Sequence, residues 1–331
     1  MKYLYLIFFI TSTLFFSACA SKEVFEPENV NDDWEYYGSS DFTIENISSN
    51  AALVEDNKVF FNGNVLDIKI NENEKLLGAS DGWILSSTID GNLTIRNIED
   101  TLKVEHFDLK RTIATASIKD DILAVLFTNN KMALYSISNK NILLKEQGDA
   151  PVVINSKVIA PYFKDNLVIF STLDGKVVLI SLDTKKKLRT VIVSSEDNFN
   201  NIIYFDLVDN KIIASTGHKI LSLAQKELRV KYDIRYVRDD GNNIYLLTKQ
   251  GEVISLTPDL QLNKKVKFPF AHFLGMIIGE NKIYVLEKEG YIIELSKDLL
   301  EYKIYEADVE DGYIFVDGKV FYIDDEYILV E

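Results

Sequence analysis

The sequence predicts an all-β protein, a β-propeller of four-stranded blades. Seven blades are expected, with eight as the alternative, closed by strands from both ends of the chain. Three observations predict it. One hairpin unit recurs along most of the 331 residues, a short apolar strand, a turn holding Gly or Asn, and a second strand. Val, Ile, Leu, Tyr and Phe dominate those strands, while Pro occurs five times in the whole chain. No segment keeps a helical apolar period for more than two turns. Strand-rich repeats of about 40 residues are the mark of a propeller. A lone blade cannot bury both of its faces, so blades stack and the ring closes.

From the N-terminus, Met1 and Lys2 precede an apolar run over 3–10, a Thr11-Ser12-Thr13 break, and then Leu14-Phe15-Phe16-Ser17-Ala18-Cys19. One positive charge, an apolar stretch and small residues before a cut point make a secretory signal. The stretch from Tyr3 to Ala18 falls short of the roughly 20 residues that span a bilayer as a helix. Ser17-Ala18-Cys19 resembles the lipobox of bacterial lipoproteins, with Phe16 where Leu is commonest. The resemblance implies cleavage after Ala18, diacylglycerol on the Cys19 thiol and acylation of the new amine, palmitate being a typical chain. Each buried acyl methylene contributes about 0.8 kcal/mol, so two or three chains hold the protein firmly. Ala20-Ser21 follow without the Asp that retains such proteins in the inner membrane. The resemblance therefore favours the outer membrane, facing the periplasm, with inner-membrane anchoring as the alternative.

Cys19 is the one cysteine of the chain. Internal disulfides, a thiolate nucleophile, an iron–sulfur cluster and a Cys-rich zinc site are thereby excluded. Residues 20–41 carry Glu23, Glu26, Glu28, Asp32, Asp33 and Glu35 with little apolar periodicity, the composition of a tether. Trp34, Tyr36 and Tyr37 interrupt it and are expected to pin its end to the folded body, a partner contact being the alternative. The expected organisation is a signal peptide over 1–18, a lipidated acidic tether over 19–41 and a propeller over 42–331. The net charge of −15 becomes one unit more negative once Lys2 leaves with the signal peptide. An acidic surface repels phosphate backbones, so nucleic acid is not an expected partner. The basic runs Lys185-Lys186-Lys187 and Lys264-Lys265 are read as solvated turns.

The clearest hairpin spans 166–182 around Asp174-Gly175, where a tight turn needs the positive φ that Gly supplies. Further copies lie at 83–98, 122–137, 211–223, 243–256 and 282–295. Their turn markers Gly91, Asn130, Gly175, Gly217, Gly251 and Gly290 recur at steps close to the roughly 40 residues of a four-stranded unit. Two partial copies, 58–68 around Gly63 and 313–330 around Gly318, stand nearer to their neighbouring markers than a full repeat step. Joined into one closing blade, they give seven.

The copy over 170–189 runs through Ser171, Asp174-Gly175, Leu182-Asp183 and Lys187-Leu188, and it resembles the PQQ-like repeat. A lipoprotein with such repeats resembles the BamB-type subunit of the outer-membrane β-barrel assembly machinery. The resemblance implies a protein partner in the envelope, that machinery, and no cofactor. The repeat's terminal Trp is absent here, with Arg189 near its place, so no contact residue is carried over. Quinoprotein dehydrogenases of the wider fold use a vicinal cysteine pair, which a chain with Cys19 alone does not have.

No catalytic, cofactor or metal residue is assigned. His106, His218 and His272 fall in different repeats without a second His or Cys at ligand spacing, and His218 beside Gly217 reads as a hairpin tip. Asp308-Val309-Glu310-Asp311-Gly312 lacks the alternating spacing and later Glu of a calcium loop, and Asp324-Asp325-Glu326 and Asp239-Asp240-Gly241 read as solvated turns. Asp90-Gly91-Asn92-Leu93-Thr94 resembles an extended bacterial N-glycosylation sequon centred on Asn92, the alternative being a simple tight turn. The function expected is a non-catalytic, membrane-anchored scaffold in outer-membrane protein assembly. The alternatives are an accessory or ligand-binding lipoprotein in respiratory-enzyme maturation or adhesion, or a propeller hydrolase or lyase.

Overall fold

The computed structural model describes residues 23–307, 309 and 312–331. Their strands form eight antiparallel four-stranded sheets, each a blade, with the first strand of blades 1 to 7 innermost. β1 (Tyr37–Ser39) comes first in the chain and serves the last blade. Blade 1 holds β2 (Ile44–Ile47), β3 (Ala52–Val54), β4 (Lys58–Phe61) and β5 (Asn64–Lys69). Blade 2 holds β6 (Glu74–Ser80), β7 (Trp83–Thr88), β8 (Asn92–Asn97) and β9 (Val104–Asp108). Blade 3 holds β10 (Ile113–Lys119), β11 (Ile122–Phe127), β12 (Lys131–Ser136) and β13 (Ile142–Gln147). Blade 4 holds β14 (Tyr162–Lys164), β15 (Leu167–Ser171), β16 (Lys176–Ser181) and β17 (Lys186–Ile192). Blade 5 holds β18 (Tyr204–Val208), β19 (Lys211–Ser215), β20 (Lys219–Leu223) and β21 (Glu227–Lys231). Blade 6 holds β22 (Ile234–Asp239), β23 (Ile244–Thr248), β24 (Glu252–Leu256) and β25 (Leu262–Lys267). Blade 7 holds β26 (Phe273–Ile278), β27 (Lys282–Glu287), β28 (Tyr291–Ser296) and β29 (Tyr302–Glu306). Blade 8 combines β30 (Ile314–Asp317), β31 (Val320–Ile323) and β32 (Glu326–Leu329) with β1, which pairs with β32 as the outermost strand.

The core is divided among the interfaces. Successive side chains of a strand point to opposite faces, so a middle strand feeds two neighbours. Leu123, Val125 and Phe127 of β11 pack with blade 2, while Ala124 and Leu126 pack with blade 4. Burial on both sides turns the strand into a continuous apolar run instead of an alternating one. Each pair of adjacent blades shares such a cluster, including blades 8 and 1, where Phe315 and Tyr322 meet Phe60 and Ile44. Outer strands are polar: in β17 only Val191 is buried. Lys186-Lys187 and Lys264-Lys265 lie on the outer strands β17 and β25, not in turns.

Eight blades replace the seven expected, for a reason visible in the turns. The six full markers sit between the second and third strands of their blades, whereas Gly63 lies between β4 and β5 and Gly318 between β30 and β31. The equivalent turn of blade 1 uses Asp56 and Asn57, at φ 61 and 58, and that of blade 8 uses Asp324 at φ 53. Asp and Asn tolerate the left-handed region without being Gly. Asp56 precedes Gly91, and Asp324 follows Gly290, by nearly the same step that separates Gly217 from Gly251. Each end blade is therefore an ordinary repeat in its own right. Closure by strands from both ends holds, but β1 contributes to blade 8 alone. Gly217 also differs from expectation, since its turn forms without positive φ.

The propeller also begins earlier than residue 42. Phe25 is buried between blades 6 and 7, edge-on to Phe268 and Tyr291. The amide of Asn31 donates to the Ile304 carbonyl (2.8 Å) and that of Trp34 to the Glu306 carbonyl (2.7 Å), along the outer edge of β29. Trp34 then buries its indole between blades 7 and 8, and its Nε1 donates to the Leu329 carbonyl at 3.0 Å. Acidic side chains face solvent while Phe25 and Trp34 act as pegs, so the acidic composition conceals a strap.

Candidate functional site

The innermost strands of blades 5 and 6 bring a polar group together beside the axis. β18 starts with Tyr204, whose hydroxyl donates to Asp239 Oδ2, the end of β22, at 2.5 Å. Burial pushes the Asp206 carboxyl up, and the neighbouring Asp239 charge adds to it, against the opposing Leu207 amide and Arg238. On β22, Arg238 donates through Nη2 to the Tyr236 hydroxyl at 3.2 Å.

A second cation reaches the same ring from a connector without strand structure. Residues 148–161 link blades 3 and 4 and are held by the loop before β18. Buried Asn201 accepts from the Asn155 amide (2.6 Å) and donates to the Lys157 carbonyl (2.7 Å). The Phe199 amide donates to the Val153 carbonyl at 2.9 Å. These bonds hold Lys157 Nζ 4.4 Å from the Tyr236 ring centroid, a cation–aromatic contact. Burial pushes the Lys157 amine down, and Arg238 adds to that fall while Tyr236 opposes it. Tyr236 is thus held between Lys157 and Arg238, with Asp206 and Asp239 nearby. The group places charges of both signs beside one another near the axis.

The three histidines stay apart, in blades 2, 5 and 7. His218 occupies the β19–β20 hairpin as expected. His272 receives a bond the sequence does not announce, from Arg235 Nη1 to its Nε2 at 2.6 Å. That nitrogen therefore accepts, which leaves the imidazole proton on Nδ1. The His272 amide donates to Glu287 Oε1 at 2.6 Å, and burial pushes the Glu287 carboxyl up.

Asn92 opens β8 with an exposed side chain next to Gly91. Asp240 sits in the expected turn, its carboxylate accepting from the Asn242 and Asn243 amides, but its side chain is 11% exposed and pairs with Lys297 at 3.6 Å, while Asp239 belongs to β22. Ala18 and Cys19 lie outside the described residues, as do Asp308, Glu310 and Asp311. Among the described residues no group of three or more His, Cys, Asp or Glu is placed to hold a metal ion. No helix among them is long and apolar enough to cross a membrane. Lys157 and Arg235 carry no sequence motif; only the unusual gap between Asn130 and Gly175, the widest repeat step, hints at the connector that delivers Lys157.

No known family model matches the chain. It is 33% identical over 171 residues to plasminogen-binding protein PgbB of Helicobacter pylori strain J99, covering 51% of this chain and 32% of that protein. The same protein from strain 26695 is 34% identical over 158 residues, covering 47% and 29%. The chain thus spans about a third of the length of these curated relatives. Among solved structures, BamB from Moraxella catarrhalis superposes with a TM-score of 0.68 at 12% identity, over 89% of this chain and 98% of that one. At that identity the likeness is one of fold.

Proposed function

We propose that this chain is a non-catalytic, protein-binding scaffold, anchored to the outer membrane through lipid on Cys19 and facing the periplasm. The observation that carries the reading is the likeness, across about half of the chain, to proteins named for binding another protein. A closed ring suits the role, since its loops and edges keep fixed relative positions. The specific role proposed is outer-membrane protein assembly, from the lipobox and the PQQ-like repeat. A second reading, capture of an extracellular protein such as plasminogen, draws on the names of the relatives.

The strap gives the anchor a direction. Phe25 is the sixth residue after Cys19, so the covalent chain reaches at most about 20 Å between them. With lipid on Cys19, the sector of blades 6 and 7 therefore faces the membrane. The test is copurification of the tagged full chain from detergent-solubilised envelopes, alongside binding to immobilised plasminogen. Recovery of the barrel-assembly subunits supports the first role and plasminogen capture the second; specific capture of no protein in either arm overturns the scaffold reading. Radiolabelled palmitate enters the wild-type chain and not Cys19→Ser; label in neither defeats the anchor.

A further inference from the structure

A cleft of about 540 Å³ opens between blades 2 and 3, within the range of about 300–1,000 Å³ that binding clefts occupy. Its floor is aromatic, built from Phe107, Phe127 and Tyr135 of the cluster shared by the two blades. Arg111, Lys131 and Lys145 line its walls. In a chain of net charge −15, these three cations have no carboxylate partner among the described residues. The acids that do stand close are occupied elsewhere: Asp108 pairs with Lys110, Glu105 with Lys140, and Glu146 with Lys187. Burial pushes the Lys131 amine down, and the charges of Lys145 and Arg111 add to that fall. The Tyr135 hydroxyl also has no hydrogen-bond partner among the described residues, and its side chain is 7% exposed. Folding thus assembles like charges and an unused donor in one place, an arrangement relieved by an anion.

We propose that this cleft binds an extended acidic segment of a partner protein, its carboxylates on Arg111, Lys131 and Lys145 and an apolar side chain against the cleft's apolar lip. The spacing selects an extended peptide over a single compact anion. Ala133 pairs with Lys145 and Lys131 with Gln147, so Lys131 and Lys145 are diagonal neighbours, about 7–8 Å apart. Alternate side chains of an extended chain repeat at about 6.8 Å. Ile142, half exposed, and Leu109 supply the apolar lip. The cleft lies four interfaces around an eight-membered ring from the Phe25 peg, opposite the sector that a lipid on Cys19 would bring to a membrane. This inference deepens the protein-binding reading and rests on it for the nature of the partner.

The test uses the full chain and a fluorescein-labelled peptide with Glu at alternate positions and Leu or Thr between, read by anisotropy. The wild type is expected to bind it, to lose affinity as salt rises, and to ignore the peptide with Lys in place of Glu. The triple variant Arg111→Gln, Lys131→Gln, Lys145→Gln is expected to bind about tenfold or more weakly with an unfolding midpoint no lower than that of the wild type. Lys185→Gln with Lys186→Gln, on blade 4, should bind as wild type does. Equal binding of both peptides, or full binding by the triple variant, overturns the proposal. So does complete displacement by inorganic phosphate at constant ionic strength, or by phosphatidylglycerol vesicles, either of which would assign the cleft to a different anion. A partner captured from envelopes equally by wild type and triple variant sinks the cleft while leaving the scaffold standing. Peptide binding without any captured partner does the reverse.

Discussion

Glu74→Ala is expected to be among the most damaging single changes in blade 2. Glu74 opens β6 with a side chain 4% exposed, against Arg96 at 13%. Its Oε1 accepts from the Thr94 hydroxyl at 2.8 Å, and its Oε2 from the Ser86 hydroxyl at 3.0 Å and Arg96 Nη2 at 2.9 Å. Removing the carboxylate leaves a nearly buried guanidinium with Ser86 as its one remaining hydrogen-bond acceptor among the described residues. Breaking a buried pair from one side costs about 3–5 kcal/mol. Unfolding entropy of about 2.1 cal/mol/K per residue, over roughly 300 residues, converts that to a fall of roughly 5–8 °C in Tm. The assay is thermal unfolding followed by circular dichroism and by the fluorescence of Trp34 and Trp83, with Glu74→Leu/Arg96→Met beside it. The double variant should recover most of the loss, because no unpaired charge remains. A fall of under about 2 °C for Glu74→Ala, or a double variant as unstable as the single, refutes the reasoning. Burial pushes the Glu74 carboxyl up, but the Thr94 hydroxyl and the Arg96 guanidinium outweigh it and leave the group below its ordinary 4.5. The unfolded chain therefore takes up this proton first as pH falls. The stabilisation is complete above pH 4.5 and disappears as pH drops through the folded value, so the gap between wild type and Glu74→Gln narrows there.

Three further outcomes follow from the same geometry. Trp34→Ala removes the peg between blades 7 and 8 and should cost about 3–5 kcal/mol, with faster amide exchange in β30–β32 as the readout; unchanged exchange there would deny that the strap secures the closing blade. Gly251→Ala should destabilise more than Gly63→Ala, as measured by urea midpoints. Both have φ near +75, but a Cβ at Gly251 would stand 2.1 Å from the Phe268 carbonyl, while Gly63 has open space. Asp206→Asn should stabilise the fold increasingly as pH rises above 3.8, because burial raises the folded carboxyl above its unfolded value and ionisation then favours the unfolded chain; a stability difference flat in pH would contradict the burial.

Much of the architecture is legible because strand, turn and period are local properties. Asp174-Gly175 declares its hairpin, and the apolar run of β11 declares burial on two faces. Blade count is less local. Asp56, Asn57 and Asp324 make the same turn as Gly but do not stand out as markers, so the end blades merge when read by glycine alone. The strap is concealed for a similar reason. Its two aromatic pegs, Phe25 and Trp34, follow no strand or helix period, and they find partners only in blades built from the far end of the chain.

The sequence by itself determined that the chain forms sheets, that those sheets repeat, and that Cys19 is its one thiol. It did so because backbone preference and side-chain alternation act over a few residues. The tertiary structure alone decided that there are eight blades, that Lys157 and Arg238 flank Tyr236, and that Arg111, Lys131 and Lys145 gather without an ion-pair partner among the described residues. Those placements depend on how each blade wedges against the next, and the energy of a charge is set by neighbours that only the closed ring supplies.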